Sequence, residues 1–221
     1  MNKFGVLIIA ATLAALFSCK KESHSAYSSV LSFRPDSVSG KDAFVEDYPF
    51  EDYQNRNWGK SKEFIAAAWS SGAPYIVRSF IDFDFNTLPE HAVIDSARLS
   101  LYAYGIVGGH GIGHDTLSGT NECFIQRVTG NWQEDLVTWN NQPTTTELNQ
   151  IQLPKSSFFM QDYTAINVTN LVRDIYKNRT ASHGFMLRLK YEDGYRTMIF
   201  ASSDVKESEK RPKLDIYYTV K

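Results

Sequence analysis

The strongest constraint on this chain is a two-residue alternation of apolar and polar side chains, repeated in short runs separated by turn-forming residues. In Val93–Tyr104 (VIDSARLSLYAY), Ala97, Leu99, Leu101 and Ala103 point one way while Arg98, Ser100, Tyr102 and Tyr104 point the other. That period belongs to an extended strand with one face buried, not to a helix. Tyr75–Phe85 alternates likewise, with Ser79, Ile81, Phe83 and Phe85 opposite Phe80, Asp82 and Asp84. Further strand signals lie at Val30–Phe33, Ala43–Val45, Glu63–Trp69, Glu122–Val128, Gly184–Lys190, Arg196–Ala201 and Lys213–Tyr218. With the turns between them, they predict about nine to eleven short strands. A single stretch has helical spacing: from Asn167 to Asn178, Leu171, Val172 and Ile175 share a face, with Thr169 or Asn170 as cap. Strands do not alternate with helices, so a parallel sheet is excluded. The predicted fold is all-β: an antiparallel jelly-roll-type β-sandwich with one short helix.

Six of the thirteen glycines fall between Gly105 and Gly119. Neither strand nor helix tolerates that density, so the segment is predicted to be a long exposed loop joining two strands. It carries His110, His114 and Asp115. Two histidines at that spacing align only on a helix, which the glycines forbid, so a metal site there would require the loop itself to become ordered.

The N-terminus reads as an address. One positive charge at Lys3 precedes the apolar stretch Gly5–Phe17, which ends at Ser18-Cys19. The stretch is too short to span a bilayer and has the layout of a secretory signal. Leu16-Phe17-Ser18-Cys19 resembles a bacterial lipobox, in which Cys19 becomes the lipidated N-terminus; plain secretion is the alternative. The expected organisation is a lipoprotein signal peptide at 1–18, a lipidated flexible tether at 19–29 and one folded domain at 30–221. The expected location is the outer membrane or surface of a Gram-negative bacterium, with membrane contact through the lipid anchor only. Cys123 is then left without a partner and reads as a small core residue.

Charge and motifs narrow the function. The 23 Lys and Arg against 25 Asp and Glu leave a net charge of −2, whereas a protein that binds nucleic acid by counterion release needs a basic excess. Hydrophobic residues at 43% supply a core. The chain lacks a Gly-x-Ser-x-Gly elbow, a His-Glu-x-x-His helix and a phosphate loop, and its scattered carboxylates do not pick out a glycosidase pair. A catalytic function is not expected.

Sugar binding asks for flat aromatic faces beside groups that hydrogen-bond hydroxyls. Trp58, within Asn55-Arg56-Asn57-Trp58-Gly59-Lys60, meets that description best; Arg56, Lys60 and Lys62 would pair with uronate carboxylates. Tyr102 and Tyr104, on one strand face, form a second candidate platform. Each of these aromatics equally suits a ring that closes the edge of the sandwich. Trp132 and Trp139, with Glu134 and Thr138, read as packing a loop over the sandwich rather than stacking on a ligand. Arg78 is expected to pair with a carboxylate such as Asp82. Asp42, Glu46 and Asp47, clustered near the start of the domain, are the candidates for a structural calcium; the alternative is a solvated acidic surface.

Several patterns recur in one order: Asp42-Ala-Phe-Val, Asn55-Arg-Asn-Trp-Gly59, Arg78-Ser-Phe-Ile-Asp-Phe83, Leu88-Pro-Glu-His-Ala-Val-Ile-Asp-Ser-Ala-Arg-Leu-Ser-Leu-Tyr102, Trp132-Gln-Glu-Asp-Leu-Val-Thr-Trp-Asn-Asn-Gln-Pro143, Ile166-Asn-Val-Thr-Asn-Leu-Val172, Gly184-Phe-Met-Leu187, Phe200-Ala-Ser-Ser-Asp204 and Arg211-Pro-Lys-Leu-Asp-Ile-Tyr217. Over roughly residues 30–220 this order resembles the DNRLRE domain, related to disaggregatase-associated and alginate-binding carbohydrate-binding modules. The resemblance implies a jelly-roll sandwich on a secreted or surface protein, and binding or display rather than catalysis. The expected function is therefore a cell-envelope lipoprotein that binds a polysaccharide at the surface, an acidic one being among the candidates. The alternatives are a structural or adhesion protein with an envelope protein partner and, further off, a polysaccharide lyase or hydrolase.

Overall fold

The fold was analysed in a computed structural model, which describes residues 27–220 apart from 51, 71, 106–109 and 182. The predicted signal peptide, Cys19 and the predicted tether up to residue 26 lie outside the described residues. Among the described residues, eleven strands form two antiparallel sheets, the sandwich expected from the alternation. The smaller sheet runs in the order β1 (Tyr27–Phe33), β11 (Lys213–Val220), β5 (Ala92–Leu101), β8 (Tyr163–Asn167). The larger runs β10 (Arg196–Ala201), β3 (Glu63–Ser70), β4 (Pro74–Asp82), β9 (Phe185–Leu189), β6 (Cys123–Val128), β7 (Thr145–Leu153), with β2 (Lys41–Asp47) also paired to β4.

The register follows the pattern of side chains. Leu99 lies opposite Leu214 and Ala97 opposite Ile216, so their apolar side chains share the inner face of the smaller sheet. They meet Phe64, Ala66, Ala68, Ile125, Phe185, Leu187, Met198 and Phe200 from the larger sheet in one buried cluster. Each fully buried Leu or Phe there contributes about 1.5–3 kcal/mol of transfer free energy. Cys123, with no exposed surface, is part of that cluster, as expected of a small core residue. The helix α1 (Thr169–Lys177) adds Leu171, Val172 and Ile175. Its N-cap is Val168 rather than Thr169 or Asn170. The Thr169 hydroxyl instead accepts from the Ala97 N–H at 3.0 Å and donates to the Asn167 side chain at 2.6 Å, which fastens the helix to β5.

Several expectations are corrected. β1 begins at Tyr27, so residues 27–29 of the predicted tether are in strand. β4 stops at Asp82, because the Asp84 side chain accepts from the Asn86 N–H and turns the chain into a 3-10 turn at Phe85–Thr87. Two strands were not predicted at all. β7 is polar along most of its length and closes one end of its sheet, and β8 is short.

The glycine segment also departs from expectation. Its described part runs along β10, pairing Asp115 with Thr197 through reciprocal main-chain bonds of 3.0 and 2.9 Å, and it buries His114 at 6% exposure. Glycine also lets the segment press against the loop before β8: a Cβ on Gly113 would sit 2.3 Å from the Phe159 carbonyl oxygen. The segment thereby covers main-chain groups at the β10 end of the sheet, which would otherwise be free to pair with another chain.

Candidate functional site: an aromatic cleft over buried carboxylates

Beside the glycine segment, the alternation of β2 places Phe44 and Glu46 on one face, and that of β3 places Glu63 and Trp69 on one face. Tyr75 comes from β4. The stretch after β2 contributes Tyr53, from a 3-10 turn at Tyr53–Asn55, and Trp58, whose backbone bridges to Phe44. With Ser61 and His110 these residues enclose an open cleft of about 530 Å³.

The rings are fixed by one another. Trp58 stacks on Phe44 with centroids 5.2 Å apart and planes 16° from parallel, and Trp69 stacks on Tyr75 at 4.2 Å and 14°. Tyr53 meets Tyr75 edge-on at 6.0 Å. Offset and edge-on pairs of this kind add about 0.5–1.5 kcal/mol each beyond burial, and they hold the aromatic walls in place before any ligand arrives.

Polar groups occupy the depth of the cleft. Glu46 has no exposed surface and Glu63 is 4% exposed. His110 stands between them, Nδ1 at 2.6 Å from Glu63 and Nε2 at 3.5 Å from Glu46, and its main-chain N–H donates to Glu63 at 3.2 Å. Burial by itself would lower the imidazole pKa, but the two carboxylates outweigh it and push the group up to about 9, so His110 is an imidazolium at neutral pH. The Tyr75 hydroxyl donates to Glu46, and burial together with that carboxylate raises its pKa far above the usual phenol range. Two buried polar atoms of the lining are left without a hydrogen-bond partner: Glu46 Oε1 and Trp58 Nε1. An unmet buried donor or acceptor costs about 1–3 kcal/mol, and a ligand that satisfies it recovers part of that cost.

Of the residues expected to bind sugar, Trp58 lies in the cleft and the others do not line it. Arg56 lies with its guanidinium 3.9 Å from the centroid of Tyr53, behind one wall. Asn57 is a structural tie: its amide donates to the carbonyls of Glu134 at 2.7 Å and Val137 at 2.8 Å. Lys60 forms an ion pair with Glu134. Tyr102 accepts from Arg34 at 3.2 Å, and Tyr104 donates its main-chain N–H to Ile199 at 3.2 Å; neither borders the cleft. Phe44, Glu46, Tyr53, Ser61, Glu63, Trp69, Tyr75 and His110 complete a cleft in which Trp58 is the one lining residue among the sugar contacts expected from the sequence. A pointer was available in Glu63 and Trp69, which share a face of one strand.

The proposed calcium residues do not form a common ligand set. Asp42 and Glu46 lie on one face of β2 and Asp47 on the other, where it accepts from Gln54. Asp42 is 2% exposed and accepts from the Ser203 N–H at 3.0 Å; burial pushes its pKa up to about 7. Among the described residues, no group of three or more His, Cys, Asp or Glu side chains is arranged to hold a metal ion.

The two tryptophans read as structural do pack. Trp132 is 5% exposed and donates from Nε1 to the His183 carbonyl at 3.0 Å, and Trp139 lies under the Arg78 guanidinium at 4.6 Å. Arg78 pairs not with Asp82 but with Glu192, through two bonds of 2.7 Å; Asp82 pairs with Lys41 at 3.0 Å. The bidentate match of guanidinium and carboxylate explains the choice.

A β-sandwich with an open cleft walled by stacked aromatic rings is an arrangement compatible with the carbohydrate-binding-module class. Residues 36–218 match carbohydrate-binding module family 96, and the chain belongs to that family. No curated protein is similar enough to the chain to count as a match.

Proposed function

We propose that this protein is a non-catalytic polysaccharide-binding module, held at the envelope surface of a bacterium by a lipid on Cys19, with the Trp58–Trp69 cleft as its sugar site. The observation that carries this reading is the pairing of ready-stacked rings with two buried polar atoms that lack partners, Trp58 Nε1 and Glu46 Oε1, in one open cleft. Sugars present exactly the complement in general chemical terms: apolar C–H faces that stack on rings, edged by hydroxyls that both give and accept hydrogen bonds. Binding without turnover is supported by how the ionisable groups are spent. Both nitrogens of His110 face carboxylates and the Tyr75 hydroxyl is given to Glu46, so neither side chain is placed to take a proton from a substrate.

The test is retention of the full-length protein by a panel of immobilised polysaccharides, with and without calcium, alongside Trp58→Ala. Retention on one polysaccharide class, reduced at least tenfold by Trp58→Ala in a protein with an unchanged circular dichroism spectrum, supports the reading. Equal retention of wild type and variant removes the cleft from it.

A protein-partner reading has one observation of its own. Phe158 and Phe159 are more than half exposed beside the glycine segment, whose Ile112 and Leu117 are also exposed. Co-purification of one envelope protein, abolished by Phe158→Ser with Phe159→Ser, would favour it.

A further inference from the structure

We infer that two copies of this chain associate edge to edge through β1, so that their smaller sheets join into one antiparallel sheet with four strands from each copy. The inference stands on the strand edges and is independent of what the cleft binds.

A sheet edge offers main-chain donors and acceptors to any passing chain, and proteins blunt it with charge, a bulge, short length or a cover. Among the described residues, the other edges are blunted in these ways. The glycine segment runs beside β10, bonded through Asp115. β2 carries Lys41, Asp42, Glu46 and Asp47 and is bridged to Trp58. β7 carries Glu147, holds Asn149 at φ 61° and shifts register against β6. β8 has only five residues, holds Ala165 at φ 53° and shifts register against β5.

β1 has none of these devices. Its sequence, YSSVLSF, lacks charge, glycine and proline, and all seven residues pair with β11 without a shift. Among the described residues, β11 is the one element bonded to the main chain of β1, so the opposite edge of the strand is open.

The same seven residues name the occupant. A strand that pairs antiparallel with its own copy across a two-fold axis must match its own reverse. Centred on Val30, β1 comes close to doing so. Val30 falls opposite itself, Ser28 opposite the partner's Ser32, Ser29 opposite the partner's Leu31, and Tyr27 opposite the partner's Phe33. No like charges meet in that register. The inner row also gains from it. Leu31 and Phe33 pack on the core cluster yet stay half-buried at this edge, and a copy sets its own inner row beside them, removing apolar surface from water. Where the cleft holds a polysaccharide, the pair carries two such sites on one body, and linked sites retain a polymer more tightly than either alone.

The test is cross-linking of purified full-length protein in detergent with a short bis-maleimide, comparing Val30→Cys, Ser28→Cys and Val38→Cys. In the symmetric register the two copies of residue 30 face each other at about 5 Å, while those of residue 28 lie about 14 Å apart. Val38, 92% exposed in a turn, reports random collision, and the wild type sets the background, its Cys123 having no exposed surface. Val30→Cys should give at least about fivefold more covalent dimer than either other variant. Val30→Lys, a change at an exposed position that brings two ammonium groups together, should turn the dimer into monomer in sedimentation at an unchanged circular dichroism spectrum. Equal cross-linking at residues 28, 30 and 38, a wild type that sediments as a monomer at every soluble concentration, or a dimer that Val30→Lys leaves intact would each overturn the inference.

Discussion

His110, partly buried, and His114, buried, sit on one glycine-rich segment against the same sandwich, yet one ring is charged and the other neutral. His110 faces two carboxylates and is held as a cation with its pKa at about 9. His114 faces the main chain. The Ile199 N–H donates to its Nδ1 at 3.0 Å, and its Nε2 bonds the Gln161 carbonyl at 2.8 Å. Accepting at one nitrogen and donating at the other requires the neutral ring, and burial keeps its pKa below the ordinary value. The first histidine therefore belongs to the cleft and the second to the fold. What separates them is only whether side-chain carboxylates or backbone groups meet the ring.

Removing each ring breaks this comparison most directly. His110→Ala leaves two buried carboxylates without their shared cation, and a loss of about 3–5 kcal/mol in urea unfolding at pH 7 is expected. His114→Ala leaves one main-chain donor and one acceptor unmet around a small cavity, at about 2–3 kcal/mol. His114→Ala should leave polysaccharide retention per folded molecule unchanged, while His110→Ala should not.

A pH series sharpens the contrast, because the two histidines respond with opposite sign. His110 has a folded pKa above its unfolded value near 6.5, so its stabilisation is complete below that pH and is lost as pH rises through about 9. The difference in unfolding free energy between wild type and His110→Gln should shrink by roughly 2 kcal/mol across that window. His114 has a lowered pKa, so its contribution is present above pH 6.5 and falls away as the solution is acidified. A difference for His110→Gln that stays flat from pH 6 to 9.5 would refute the clasped cation.

Asp42 supplies a buried ionisable group without such a clasp. Its folded pKa of about 7 lies above the unfolded carboxyl value of 3.8, so stability is lost as pH rises through that interval. Asp42→Asn keeps an acceptor for the Ser203 N–H and removes the charge. A gain on the order of 1–2 kcal/mol at pH 8, absent at pH 4, is expected from urea midpoints at the two pH values.

The sequence carried the strands wherever one face of a strand was apolar. Ala97, Leu99 and Leu101 alternate because they face the core, and β5 was legible for that reason. β7 (TTELNQIQL) buries only Leu153 fully, so periodicity had nothing to report. The glycine segment misled because density of glycine signals backbone freedom, whereas here it signals close approach, as at Gly113 against Phe159. Arg78 shows a third limit. Its alternation marked it for pairing, but Glu192 reaches it through the packing of distant strands, and nothing local distinguished that residue from Asp82. The cleft was half legible: Trp58 stood out by its neighbours, while Glu46, Glu63 and His110 come together only through tertiary structure.

Tyr27 and Val220 are cross-strand partners in β1 and β11. The chain therefore enters and leaves the sandwich about 5 Å apart. A fold with its ends so close behaves as a closed unit in protein engineering. It can be set into a surface turn of a host protein without prying the host open, or its two ends can be joined by a few residues and new ones cut at another loop. The spacing also means that a cargo fused after Val220 would emerge beside the incoming chain, rather than on the far side of the module.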